Sequence, residues 1–306
     1  MNKAALILIH NHQYNENIDT LEKIYKNRFS DIFHLVPFYT GMKDNVIPVY
    51  ENSFYFQGYV AQGLHGFFDE KYSHYFFIAD DLMLNPEINE DNYADIFRLD
   101  EDTSFVSRLT TFYEQIGWDW DRSVSGWNIK VNGIEADNQL PDHQRAIDKF
   151  TKFGLTVIEP PNFKQIWSIR HRLLKYLCNR NFKNRFISFY RYLINSKKGF
   201  SYPLARSYSD IFIVNAKCIK EFCHYCGVFA ATRLFVEVAV PTSIILSSDN
   251  IMTEKDLNLR GKALWGKKDF QELEKYKNSL TDLMNDFPPG YLYLHPIKLT
   301  KWKTGQ

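Results

Sequence analysis

The chain has 306 residues, 45% hydrophobic and 24% charged, enough apolar mass for one large core and a length that fits a single α/β domain with a helical elaboration. No stretch approaches the roughly 18 consecutive apolar residues of a membrane span. The run at 4–9 is too short and too poorly followed for a secretory signal, so a cytoplasmic protein is expected. The net charge of +1 hides a segregation: 69–121 holds 14 acidic and three basic residues, whereas 160–209 holds 11 Lys and Arg and no acid. The near-neutral total and the acidic half argue against nucleic-acid binding.

AALILIHNH opens the chain with a continuous apolar run of strand length ending at His10, Asn11 and His12, the pattern of a parallel strand buried on both faces. Over 17–29, Ile18, Leu21, Ile24, Tyr25 and Phe29 recur at helical spacing, with Asp19 and Glu22 early and Lys26 and Arg28 late, as the helix dipole prefers. DIFHLVPFY reads as a second strand. The chain thus begins β-α-β, which implies a parallel sheet whose ligands bind beyond the carboxyl ends of its strands. A helix is expected around 55–68, and then the strand HYFFIA delivers Asp80 and Asp81 to that same edge.

Two adjacent carboxylates at the mouth of a sheet repel one another and resist desolvation, so a positive partner is expected. A divalent cation held by oxygen ligands meets that demand. The other reading is a helix cap for one acid and solvation for the other.

The early β-α-β followed by IADD, with Leu82, Leu84 and Pro86 beyond it, resembles the nucleotide-sugar-dependent glycosyltransferases of the GT-A fold. Their metal motif, Asp-x-Asp, is degenerate here, with Ala79 in its first position. The resemblance implies that Asp81 holds a metal on the donor diphosphate and that Asp80, nearer the ribose or sugar, joins it or not. It further implies a C-terminal histidine completing the metal shell, a position that His295 in YLYLHPIKL fits; capping or surface exposure is the other reading of that residue. Imidazole with carboxylates suits Mn2+, and Mg2+ is its companion candidate. Lys298 and Lys301 could neutralise the leaving diphosphate. Asp210, ahead of IFIV, could bind donor-sugar hydroxyls. Glu237, between Val236 and Val238, could serve as general base or could pair with Arg233. By position, His10, Asn11, Pro37, Phe38 and Tyr39 would line the pocket of a uracil base.

Other motifs carry less. Cys218, Cys223 and Cys226 lack a second ligand pair for zinc and read as buried thiols on a helix packed by Phe222, Phe229 and Ala230. Gly58 and Gly63 have the spacing of a phosphate loop, but Leu64 and His65 stand where Lys and Ser or Thr are required, and no Gly-x-Gly-x-x-Gly occurs. Two basic amphipathic stripes over 164–198 read either as a solvated helical hairpin or as an element drawn to an anionic membrane surface. Trp118, Trp120 and Trp127 could flank a glycan or fill a small satellite core.

The expectation is one GT-A-like domain over 1–306: a Rossmann-type mixed sheet flanked by helices. A nucleotide-binding half would span about 1–110, a loop and basic helical insertion about 112–200, and an acceptor half about 201–306. Its expected activity is metal-dependent transfer, with inversion, from a UDP-sugar to a glycan or lipid-linked acceptor of a bacterial surface polysaccharide, in the cytoplasm or peripherally on the inner face of the membrane. A nucleotidyltransferase and a non-catalytic glycan-binding protein are the rival readings.

Overall fold

Strand β1 (Ala4–Ile9) is buried at every position because both its faces are covered. Ala4, Leu6 and Leu8 enter one core with Phe76, Ile78 and Phe105, while Ala5, Ile7 and Ile9 enter a second with Tyr75, Phe77 and Phe212. The computed structural model describes residues 3–12, 15–112, 129, 131, 133–156 and 202–303. The 164–198 segment and Trp118, Trp120 and Trp127 lie outside the described residues.

Helix α1 (Asn15–Tyr25) buries Ile18, Leu21 and Tyr25. It ends earlier than its apolar pattern suggested. The N–H groups of Arg28 and Phe29 close a turn on the Tyr25 carbonyl, and the Arg28 side chain donates to the carbonyls of Ile88 and Asn85 at 2.8 and 2.6 Å. Strands β2 (Asp31–Pro37) and β3 (Val46–Val49) follow, then α2 (Gln57–Phe67). Before α2, Ser53–Tyr55 forms a separate 3-10 turn because the Asn52 side chain accepts from Phe54 N, so the helix expected from 55 begins at Gln57.

Strand β4 (His74–Ala79) has the bounds read from its apolar run. Next come β5 (Met83–Leu84), α3 (Tyr93–Phe97), β6 (Thr103–Val106), β7 (Thr110–Thr111) and α4 (His143–Lys152). After residue 202 the chain forms β8 (Ala205–Arg206), β9 (Ile211–Asn215), α5 (Ile219–Ala231), α6 (Val236–Ser247) and β10 (Asn250–Met252). It ends with β11 (Arg260–Ala263), α7 (Lys267–Gln271), α8 (Leu280–Asn285) and β12 (Tyr291–His295).

The protein is α/β, with a mixed seven-stranded sheet of order β10-β6-β9-β4-β1-β2-β3 flanked by helices. Only β9 runs antiparallel to its neighbours. Its amino end therefore meets the carboxyl edge of the other strands, which brings Asp210 level with the end of β4. A small sheet, β11-β12-β5, joins the chain's C-terminal strand to the residues just beyond Asp81. Ile297 N donates to the Asp81 carbonyl at 2.7 Å and fixes that junction.

Helices α2 and α5 approach closely through small residues. A Cβ on Gly58 would meet Ala230 of α5 at 3.2 Å, and on the sheet side one on Gly63 would meet Leu35 of β2 at 2.5 Å. The glycine spacing that imitates a phosphate loop is therefore a packing requirement. Cys218, Cys223 and Cys226 are buried on or beside α5, and burial raises the thiol pKa of each. Among the described residues no helix is long and apolar enough to cross a membrane.

Candidate functional site

The two carboxylates at the end of β4 face different surroundings. Asp80 is buried and turns back to β1: its Oδ1 accepts from Asn11 N at 3.3 Å and Asn11 Nδ2 at 3.4 Å, and its Oδ2 lies 3.8 Å from His10 Nδ1. Burial, reinforced by the neighbouring Asp81 charge, raises its pKa to about 7. Asp81 turns the other way, and its Oδ1 lies 3.0 Å from His295 Nε2 at the end of β12.

His295 is the hub of a second cluster. Its Nδ1 meets the hydroxyl of Tyr208, and Asp210 Oδ1 stands 3.9 Å from Nε2. Burial disfavours the imidazolium, but the Asp81 hydrogen bond and the Asp210 charge outweigh it and raise the His295 pKa. Asp210, partly buried, is raised by desolvation and by Asp81, against the lowering influence of His295. Burial and then Asp210 push the Tyr208 phenol up, so it stays neutral. Glu237 adds its charge to the field on Tyr208 and occupies the first turn of α6, partly exposed. Helix α6 is anchored to this cluster, because Ser207 N donates to the Glu237 carbonyl at 3.1 Å and Ser209 Oγ to the Val236 carbonyl at 3.4 Å.

Arg233 is not the partner of Glu237. It sits at φ 58°, and its Nη1 lies 2.9 and 2.8 Å from the two carboxylate oxygens of Glu51. Because the chain breaks between α5 and α6, the four-residue spacing from 233 to 237 does not form one helical face. Lys298 and Lys301 are exposed just past the Ile297 anchor. At the other end of the carboxyl edge, Pro37 is buried while Phe38 is 58% exposed at φ 54°, with its ring 5.9 Å from that of Tyr50. An aromatic residue held in the left-handed region stores strain of order 1–3 kcal/mol. Tyr39 accepts from Lys43 N at 3.4 Å, and His12 is exposed.

Sequence reading missed two elements of the site. His34, in β2, lies beside His10 with Nδ1 2.9 Å from His10 Nε2, and both rings are fully buried. Its single signal was a histidine inside the apolar run IFHLV. The second is a cleft of about 590 Å³ next to Tyr208, walled by Tyr293 and Trp265.

Among the described residues no three His, Cys, Asp or Glu side chains form a ready-made cation site. Asp81 and His295 would supply one carboxylate and one imidazole nitrogen, a donor pair that suits Mn2+ once the ring gives up the proton it shares with Asp81. Comparison with protein-family models, curated proteins and solved structures returns no match.

Proposed function

We propose that the chain is a metal-dependent glycosyltransferase of the GT-A kind, moving a sugar from a nucleotide-diphosphate donor, UDP-sugars first, to a hydroxyl of a glycan or lipid-linked acceptor. One observation carries the reading: Asp81, Asp210 and His295, from three distant parts of the chain, converge at the carboxyl edge of a mixed sheet. That edge is where ligands of such sheets bind.

Under this reading Asp81 and His295 would hold Mn2+ or Mg2+, whose chemistry would be to stabilise negative charge on the leaving diphosphate. A carboxylate and an imidazole alone would make a weak site for a free ion. The ion is therefore expected to bind with the nucleotide rather than alone. Asp80 and Asn11 orient the ribose end of the donor, and Phe38 offers a face to the base. Asp210 binds donor-sugar hydroxyls, and Lys298 balances phosphate charge. The acceptor oxygen bonds to the anomeric carbon as the bond from that carbon to the diphosphate breaks. The departing electron pair stays on the diphosphate and the hydroxyl proton passes to Glu237. Attack opposite the leaving group inverts the anomeric centre.

A thermal-shift screen against UDP, GDP, CDP and CMP, with and without Mn2+, tests the reading, because a ligand that binds only the native state raises Tm. Stabilisation by a nucleoside diphosphate that requires the metal is the expected result. No response to any nucleotide under either condition would overturn it.

A further inference from the structure

The cleft beside Tyr208 has a charge pattern that the proposed transfer does not use. It is bordered by Arg108, just after β6, Lys255, just after β10, and Arg260, which opens β11. All three side chains are exposed, and among the described residues none has an ion-pair or hydrogen-bond partner for its charged group. Lys262, on the same strand as Arg260, is by contrast paired with Asp269 at 3.1 Å.

The one acid of the cleft is already committed. Glu254 accepts from the Tyr293 hydroxyl through Oε1 at 2.8 Å and from Gly261 N through Oε2 at 3.0 Å, so it fastens the wall, and its single charge is outnumbered by the three cations. The aromatic walls are Tyr293, stacked on Tyr208 at 6.2 Å and 6°, and Trp265, which is 66% exposed and edge-on to His295 at 6.5 Å. An exposed indole next to hydrogen-bonding side chains is a surface on which the CH face of a sugar can rest.

The cleft is thus polarised. The three cations line it, whereas the acids Asp81, Asp210 and Glu237 do not line it but act on Tyr208, the wall it shares with the His295 cluster. A neutral sugar would leave the three cations unanswered. A sugar carrying one negative group would be oriented, its charge toward the three cations and its hydroxyls toward the Tyr208 wall.

We propose that this cleft binds an anionic sugar, one bearing a carboxylate or a phosphate, with Arg108, Lys255 and Arg260 receiving the charge and Trp265 the ring. The inference names the class of acceptor and rests on the transfer reading for that role. The binding itself does not depend on nucleotide or metal.

Saturation-transfer NMR on the full chain, without nucleotide or metal, tests it with methyl glucoside, methyl glucuronide and glucose 6-phosphate as probes and inorganic phosphate as competitor. Signal from an anionic sugar and none from the neutral glucoside is the expected result. The double variant Arg108→Ala/Arg260→Ala is expected to weaken that binding about tenfold or more, since each lost contact is a hydrogen bond to a charged group. Added salt should weaken it as well, because the cations are exposed. Trp265→Ala should reduce the signal of the sugar-ring protons. Response to the glucuronide identifies a carboxylate source, and response to the sugar phosphate alone, displaced by inorganic phosphate, identifies a phosphate source. Equal signal from neutral and anionic sugars, no signal from any anionic sugar, or unchanged binding in a double variant of native Tm overturns the proposal. Metal-dependent stabilisation by a nucleotide with no preference for anionic sugars would defeat this inference alone. Anionic-sugar binding with no nucleotide response would defeat the transfer reading and leave the cleft's ligand class standing.

Discussion

His295 Nε2 stands 3.0 Å from Asp81 Oδ1 although 214 positions separate them in the chain. The pair holds β12 against the end of β4, and its strength depends on the imidazole carrying a proton. Burial opposes that proton, but the Asp81 hydrogen bond and the Asp210 charge win and lift the pKa above 6.5. A histidine raised in the folded state contributes stability that is fully present below its unfolded value and is lost as pH rises through the folded one. His295→Gln is therefore expected to cost about 1.5–3 kcal/mol near pH ~6 and clearly less near pH ~9. Urea unfolding at the two pH values reads this directly. An equal cost at both would mean that the pair is not charged.

Asp80, whose folded pKa is also raised, gives the same pH slope, but here the neutral variant is expected to stabilise. Its folded pKa of about 7 lies above the unfolded 3.8, first because it is buried and then because Asp81 is beside it. The folded chain therefore holds a proton that the unfolded chain releases, and native stability falls as pH rises through the window from about 4 to about 7. Asp80→Asn mimics the protonated acid. It is expected to leave stability near pH ~4 unchanged and to raise it near pH ~8 by up to about 4 kcal/mol, the upper bound from three pKa units. Calorimetry of the metal-free protein at both pH values checks the sign, and destabilisation at the higher pH would show that Asp80 is held as a carboxylate.

The sheet was the legible part of this molecule. Strands buried on both faces write continuous apolar runs, and β1 and β4 could be read nearly residue by residue for that reason. The positions of Asp80 and Asp81 followed from where the β4 run stopped. What could not be read was which way each acid points, because successive residues beyond a strand diverge and only the fold decides their partners. Nor does spacing connect Asp81 with His295, since the distant strands β5 and β12 of the small sheet make that contact. Glu237 illustrates the limit of local reasoning: its four-residue distance from Arg233 suggested a helical pair, but the left-handed Arg233 lies past the end of α5 and before α6 begins at Val236. The cations at 108, 255 and 260 carry no signal as single charged residues, and their convergence is a product of tertiary structure.

Gly261 controls the wall of the cleft. A Cβ there would fall 2.1 Å from the Tyr293 ring, and that ring holds Glu254 and stacks on Tyr208. Gly261→Val is expected to turn the tyrosine aside, cost about 1–3 kcal/mol and weaken any ligand of the cleft. Gly227→Ala is the matched control, because its Cβ would meet Ala61 of α2 at 3.4 Å, an ordinary contact. Replacing a helical glycine with alanine there should stabilise by up to about 1 kcal/mol. Thermal melts of the two variants should move in opposite directions, and a shift of the same sign in both would refute the close approach at Gly261.

The buried imidazoles give the stability curve its acid limb. His34 lies between His10, at 2.9 Å, and Glu22, whose Oε1 is 3.7 Å from Nε2. Burial dominates over the Glu22 charge and lowers the His34 pKa to about 4, and burial with the adjacent His34 lowers His10 as well. Below 6.5 the unfolded chain takes up protons that these folded imidazoles refuse, so stability is lost progressively as pH falls from 6.5 toward 4. For His34 alone the loss amounts to about 3 kcal/mol across the window. Asp80 titrates over the same range with the opposite slope, so the wild-type curve mixes the two effects. An Asp80→Asn background removes that opposition and should steepen the acid limb. Adding His34→Gln to it should then flatten the limb, with the midpoint of acid unfolding moving to lower pH. If the acid limb were unchanged by His34→Gln in that background, the histidine would not be held neutral in the native protein, and the slope would have to come from other groups.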